Sequence, residues 1–458
     1  MNTLENTVIK NGFCIGCGIC ATKEKSAYQM NFDNYGMYVA HKIPNSFDLN
    51  EINESCPFSS QTNEDDIADL VFDSQNNKRN EHIGVYQNLY AGFVNDNEYR
   101  LTSSSGGLVS WMLETLLSNK LVDAVIHVKQ TENKTALFEY TISNTIEEIR
   151  EGKKSRYYPV EMSKVLDKIR GDSKRYAVVG LPCFIKGLRL LKLKDKQYSN
   201  ILFCIGINCG QLKSKYFSNL FAAQSKVSSS SLQGIDFRVK LPDTNASEYA
   251  VGLEYLNNKK LEALTTKPAK YLFGTDWGMG MLKYKACDVC DDVFNETADI
   301  VFGDAWVKPY RDDWKGTNLI ISRNAELSTF LTIAIKKREI TLFELSESDV
   351  IFTQLPSIRH RRETLGYRLD YFLKNLDWVP SKRIKPSNTL DHKTRKIQNL
   401  RMKIREKSHI AMQFSLKYNS FLVFLSIMLP YTIAYNYHRQ GLRSLISISV
   451  RQFIRKII

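Results

Sequence analysis

Three cysteines at three-residue intervals, Cys14, Cys17 and Cys20 in "CIGCGICATKEK", constrain this chain more than any other feature. The C-x2-C-x2-C spacing belongs to a tight loop that aims three thiolates at three corners of one iron–sulfur cubane. The fourth ligand comes from further along, and Cys56-Pro57 offers the Cys-Pro pair that closes such a site. A second cluster of the same kind would need cysteines where the chain has Glu24, Ser46, Leu49 and Ile52. One [4Fe–4S] cluster on Cys14, Cys17, Cys20 and Cys56 is therefore expected. Structural zinc is the alternative, because four thiolates also suit that ion, although zinc sites more often use two separated C-x2-C knuckles.

Five further cysteines follow: Cys183 in "GLPCFIKGL", Cys204 and Cys209 in "FCIGINCG", and Cys287 with Cys290 in "KACDVCDD". Taken singly, each reads as a small buried hydrophobe. The C-x2-C pair differs, because it brings two thiolates to one point in a polar loop and needs two more ligands. Cys183 and Cys204 belong to runs that read as neighbouring strands ending at the same edge of a sheet. A second [4Fe–4S] cluster is expected on Cys183, Cys204, Cys287 and Cys290, with Cys209 as the residue that would replace Cys204.

Nine cysteines in metal-like spacing, with neither basic start nor apolar run in "MNTLENTVIKNGF", point to a reducing compartment, the cytoplasm, and to ligand or redox duty instead of disulfides. A net charge of +14 suggests nucleic acid at first. Its distribution argues otherwise: residues 381–458 carry sixteen Lys and Arg against Asp391 and Glu406, so the entire excess lies in the tail and residues 1–380 are neutral. In that tail "SFLVFLSIMLPYTIA" is too short to span a bilayer. The following "LRSLISISVRQFIRKII" sets Arg443, Ser447, Arg451 and Arg455 on one helical stripe and Leu442, Ile446, Val450, Phe453 and Ile457 on another, the pattern of an interfacial helix. Peripheral contact with the inner face of the cytoplasmic membrane is expected, and no nucleic acid; the alternative is a helical pair packed on the body.

The expected fold is α+β. Residues 1–62 form a one-cluster ferredoxin-like module, 63–82 a polar linker with a short helix, 83–380 a mixed α/β body, and 381–458 a basic helical tail. Apolar runs of strand length, "NLYAGFV", "LVDAVIHV", "YAVVGLP", "NILFCIGI" and "DIVFGDA", alternate with helical patterns. One of these helices is "LVSWMLETLLSN", with Leu108, Trp111, Met112, Thr115 and Leu116 on its buried face. Directly before it, "TSSSGG" reads either as a phosphate cradle at the helix N-terminus or as an ordinary N-cap.

The order of these elements resembles the beta subunits of coenzyme F420-dependent hydrogenases and dehydrogenases, a family of iron–sulfur flavoproteins. The resemblance runs from the cysteine triplet and Cys56-Pro57 through "SSSGG", "KSRYYP", "GLPC", "FCIGI" and "CDVC" to "ADIVFGDAW" and "GTNLIISR", roughly residues 10 to 325. It implies FAD beside an iron–sulfur cluster, with Ser104, Ser105, Gly106 and Gly107, and Ser155, Arg156 and Tyr157, as flavin contacts. The family usually has Lys where this chain has Arg156, which suits a phosphate contact better than proton transfer. It tends to have His after the Cys of its "FCHG" strand, where this chain has Ile205, and that departure weakens an F420 reaction. Asp304 in "FGDAW" would line the flavin pocket or close a strand.

The resemblance thus implies an oxidoreductase that relays single electrons from a ferredoxin-type or F420-type donor through two [4Fe–4S] clusters to FAD, for two-electron reduction of a small-molecule or lipid-linked substrate. Surface-polysaccharide biosynthesis is one setting in which such members occur. An F420-oxidising or F420-reducing subunit, a non-catalytic electron carrier and a zinc-stabilised interaction protein are the other readings.

Overall fold

The computed structural model describes residues 3–22, 26–46, 54–72, 77–131 and 135–441. The chain opens with a π-helical turn, Glu5–Ile9, then the cysteine loop and an antiparallel hairpin of β1 (Tyr28–Phe32) and β2 (Tyr38–Lys42). Helix α1 (Glu64–Val71) starts where Asn63 and Asp66 cap each other reciprocally. A short ribbon, β3 (Lys78–Asn80) with β4 (Gly84–Tyr86), leads into the body. The stretch expected to be a linker is thus mostly ordered structure.

The body is built on an eight-stranded mixed sheet. Its members are β5 (Asn88–Val94), β6 (Ala124–Gln130), β7 (Phe138–Ser143), β8 (Tyr176–Gly180) and β9 (Ile201–Ile207), then, after a separate three-stranded ribbon of β10 (Leu232–Lys240), β11 (Tyr249–Asn257) and β12 (Lys260–Thr265), β13 (Ile300–Asp304), β14 (Asn318–Ser322) and β15 (Ile340–Glu344). The order across the sheet is β15-β5-β14-β13-β9-β8-β6-β7. Strands β13, β9, β8 and β6 run parallel at the centre, and antiparallel pairs close both sides. Every strand-length run read from the sequence forms one of these strands.

Side chains along β8 alternate between two cores, as a period of two requires. Ala177 and Val179 face helices α2 (Leu108–Ser118) and α5 (Ala325–Lys336). Tyr176 and Val178 face the cysteine loop, helix α3 (Pro182–Lys194), helix α4 (Tyr216–Gln224) and the C-terminal helices. Helices are labelled in chain order, so these last are α6 (Leu365–Asn375), α7 (His392–Lys417) and α8 (Phe421–Gln440).

The basic tail is no separate device over its described part. Met402, Ile404, Met412, Phe424 and Met428 are buried in the same core as the cysteine loop. Lys382 and Arg383, just past the expected boundary, are themselves buried: Lys382 lies 3.3 Å from Asp291, and Arg383 reaches Glu296 at 2.6 Å and Glu64 at 3.6 Å. Part of the excess positive charge, at Lys382, Arg383 and Arg405, therefore answers buried acids of the body. No helix among the described residues is long and apolar enough to cross a membrane. The interfacial helix expected at 442–457 lies outside the described residues.

Candidate functional site: two cysteine quartets and a Ser/Gly turn

Cys14, Cys17, Cys20 and Cys56 line one cavity with Val8, Ile15, Ile19 and Phe58. The loop can present three cysteines inward because Gly16 and Gly18 take left-handed φ of +72° and +84°. A Cβ on Gly16 would lie 2.4 Å from the Tyr38 carbonyl oxygen, and one on Gly18 2.7 Å from the Ser163 nitrogen. The Ala40 N–H donates to Cys14 Sγ at 3.4 Å. Burial pushes the Cys17 and Cys20 thiols well up, with repulsion from neighbouring cysteines added, and lifts Cys56 to about 11. Such a group sheds its protons together only around a cationic centre.

The second cavity is lined by Cys183, Cys209, Cys287 and Cys290, with Arg361, Pro182, Leu212, Ile15 and Phe58. Cys183 sits in the first turn of α3, immediately after β8, and Cys209 two residues past the end of β9. Both lie outside the carboxyl ends of parallel strands, where open α/β sheets bind ligands. Cys287 closes the 3-10 turn Lys285–Asp288 and accepts the Leu212 N–H at 3.4 Å. Burial raises the Cys183 thiol, and then Cys209, Cys290 and Cys287 do; burial lifts Cys209 to about 12, against the pull of the Arg361 guanidinium.

Cys204, expected in this group, is not part of it. It pairs with Val178 inside β9, three residues short of the strand end, fully buried against Arg189 and Asp299. The Cys204 N–H donates to Asp299 Oδ2 at 2.6 Å. Mid-strand side chains project into a layer, not past the edge, so Cys209 stands in its place. The residue following that cysteine is Gly210, and the departure noted at Ile205 falls away from the site.

Among the described residues, no three His, Cys, Asp or Glu side chains converge closely enough to hold a single ion. Each quartet instead lines a shared cavity. Ile15 and Phe58 wall both cavities, so the quartets are separated by little more than side chains.

The two segments expected to hold flavin also meet: the Ser155 N–H donates to Ser104 Oγ at 2.7 Å. Ser105 Oγ and Arg156 Nε are buried without a partner, and the Arg156 guanidinium lies 4.7 Å over the Phe138 ring. Unpaired buried donors at such a junction fit a phosphate-bearing group. Lys240 Nζ donates to the carbonyls of Arg100 at 2.5 Å and Ser105 at 3.0 Å, while burial lowers its pKa to about 7. Tyr157 packs edge-on against Trp277 at 4.9 Å and Phe237 at 5.4 Å.

The glycines have structural duties of their own. A Cβ on Gly106 would lie 2.6 Å from the Gly92 carbonyl oxygen, and Gly107, at φ +88°, caps α2. The first helical amide, Leu108 N–H, is already taken by Asn318 Oδ1 at 3.1 Å. Asp304 closes β13 in a two-pronged ion pair with Arg238, at 2.7 and 3.0 Å.

Residues 89–167 match the N-terminal part, and residues 173–348 the C-terminal part, of the family described as coenzyme F420 hydrogenase/dehydrogenase, beta subunit. The two spans make up more than half of the chain. The chain belongs to this family. The F420-dependent formate dehydrogenase subunit beta of Methanocaldococcus jannaschii is 31% identical over 116 residues, which are 25% of this chain and 30% of that protein. A chain of the F420-reducing [NiFe] hydrogenase complex from Methanosarcina barkeri shares the fold, with a TM-score of 0.50 and 15% identity over 67% of this chain and 99% of the other.

For a member of this family, the matched spans contain the whole second quartet and the Ser/Gly turn, whereas the first quartet and α6 to α8 lie outside them. Two further residues at these sites, Arg361 and Lys213, have no sequence signature. Arg361 stands in a π-helical turn, Arg359–Glu363, a distortion frequent at functional sites. Lys213 Nζ donates to the Met281 carbonyl at 2.6 Å and lies 4.8 Å from the rings of Phe217 and Trp277; burial lowers it to about 7. In sequence both look like surface charges, and no local signal marks either.

Proposed function

We propose that the chain is an iron–sulfur flavoprotein oxidoreductase with one [4Fe–4S] cluster on Cys14, Cys17, Cys20 and Cys56, a second on Cys183, Cys209, Cys287 and Cys290, and FAD at the Ser/Gly turn. Bound there, the clusters supply one-electron transfer and the flavin two-electron chemistry. The observation that carries the reading is the pair of cysteine-lined cavities sharing Ile15 and Phe58 as walls. The chain's own residues hold and insulate: Phe58 and Ile15 keep water from between the quartets, and Arg361 places a fixed positive charge against Cys209. Ser104, Ser105, Ser155 and Arg156 offer hydroxyl and guanidinium donors to a diphosphate, and Trp277 with Tyr157 offers an aromatic wall. Membership of the family favours an F420-type or ferredoxin-type donor, and the acceptor is an organic small molecule or lipid-linked substrate.

Anaerobic purification followed by iron, sulfide and flavin analysis tests this. The expected result is about eight iron atoms with equal sulfide per chain, by the two-cubane stoichiometry, and one FAD released on denaturation. Zinc in place of iron rejects both clusters, and about four iron atoms in the intact protein reject one. For the flavin, Ser105→Val and Arg156→Met are the informative variants, since Gly106→Val would collide with the protein itself. Retention of full flavin by both variants rejects the Ser/Gly turn as its site.

A further inference from the structure

Helices α7 and α8 bury one face against the body, and on the other they carry apolar side chains that nothing in the described chain covers. Leu422 is 72% exposed and Tyr418 60%, with Phe414, Ile433 and Tyr437 also exposed. On α8, positions 422, 426, 429, 433 and 437 recur at helical spacing and form one stripe. From Phe421 to Tyr437 the helix contains no charged residue at all. An uncharged stripe of this length on a surface helix marks a contact site. Its borders are basic: Lys403 and Lys417 are exposed on α7, which has a single acid, Glu406.

We propose that this face docks on an anionic lipid bilayer. Charge selects the occupant, because a cationic border around an apolar stripe complements acidic headgroups above acyl chains. With no helix among the described residues able to span, the stripe lies in the interface.

On their body side the two helices touch the candidate site. Arg439 pairs with Asp276 at 3.0 Å, and Ser408 Oγ accepts the Leu282 N–H at 2.8 Å, so the helix pair clamps the segment that carries Trp277 onto Tyr157. The docking does not rest on the proposed redox function.

Flotation of the full chain with vesicles tests the docking. Vesicles of phosphatidylglycerol and phosphatidylcholine should carry the protein upward at low salt, less so at high salt, and pure phosphatidylcholine should not. Leu422→Asp with Ile433→Asp should lower the affinity at least about tenfold by removing the apolar anchor, with iron content and melting temperature unchanged because both side chains are exposed. Lys403→Glu with Lys417→Glu should lower it at low salt only. A wild-type chain that stays down with anionic vesicles overturns the proposal. So does a Leu422→Asp/Ile433→Asp variant that floats like wild type. A dimer that the same variant disperses, without any lipid binding, would make a second copy the occupant and overturn it as well.

Discussion

The two cysteine quartets do the same geometric job by opposite means. Three members of the first lie within seven residues on a loop whose conformation two glycines dictate, and the fourth is Cys56. The second gathers one residue after β8, one after β9 and two from a turn beyond residue 285. The first stands outside the matched family spans and the second wholly inside them. A loop site can be added to a fold as a unit. A site at the ends of parallel strands depends on the sheet being formed, and its ligands are set by where each strand stops.

The largest expected effect separates the quartets directly. Cys17→Ser and Cys209→Ser should each reduce the iron content from about eight to about four, by loss of one cubane. In Cys17→Ser the second cluster's spectrum should remain, and in Cys209→Ser the first cluster's. If either single variant loses all iron, the quartets are not independent sites and the comparison fails.

Next in size is the charge network beside the second quartet. Lys382 and Arg383 are 4% and 10% exposed at the side chain and neutralise Asp291, Glu64 and Glu296. Lys382→Met with Arg383→Met leaves Asp291 buried without an ion-pair partner, while Glu64 keeps Lys186 and Glu296 keeps Arg362, and the loss should cost about 3–5 kcal/mol in chemical denaturation. The pair Lys10–Asp377, beside the first module, is 60% and 74% exposed, and Lys10→Met should have no measurable effect on stability. Equal losses from the two variants would refute the claim that the charges beside the second quartet are buried partners whereas Lys10–Asp377 is a surface pair.

What is legible in the sequence follows the same division. Cys14, Cys17 and Cys20 can be grouped from spacing alone, because the loop's geometry is local, and Cys56 joins them through its following proline. The strands are legible because each is an apolar run bounded by polar or glycine residues. The strand-like run "NILFCIGI" points to Cys204 ahead of Cys209, but membership of a strand is what removes Cys204 from the edge. The tail reads as detached because Lys382 and Arg383 look like surface charges until Asp291 and Glu296 are brought beside them. Gly106 reads as a phosphate contact, and only the approach of Gly92 shows that the sheet already requires it.

A smaller effect checks that loss of a cluster is distinguished from general unfolding. His127, 4% exposed and bonded to Ser143 Oγ at 2.8 Å, has its pKa lowered by burial from 6.5 to about 4. Between those values the unfolded chain takes up a proton that the native ring refuses, so stability is full above pH 6.5 and falls on acidification towards pH 4. The difference corresponds to about 3 kcal/mol. Urea unfolding at about pH 7 and about pH 4.5 should show it, and His127→Gln should remove that component. The ring sits far from both quartets in sequence but against the turn that leads to Ser155: a Cβ on Gly152 would be 2.2 Å from His127 Cε1. Acid should therefore loosen flavin before it discriminates between the two cysteine sites.

The smallest effect decides the most. Cys204 lies beside the Arg189–Asp299 pair, whose members approach to 2.9 Å, and its backbone N–H is held by Asp299. Cys204→Ala removes one sulfur from a packed strand and leaves those polar contacts untouched, since they run through the backbone and through Arg189. The expected cost is about 1 kcal/mol, that of a small buried deletion. Iron content and the spectra of both clusters should not change. Cys209→Ala makes the same atomic deletion five residues later and should lose about four iron atoms, by loss of a cubane ligand. If Cys204→Ala lost iron and Cys209→Ala did not, the strand-end argument would be wrong, and the second quartet would have to be rebuilt with a ligand from inside β9.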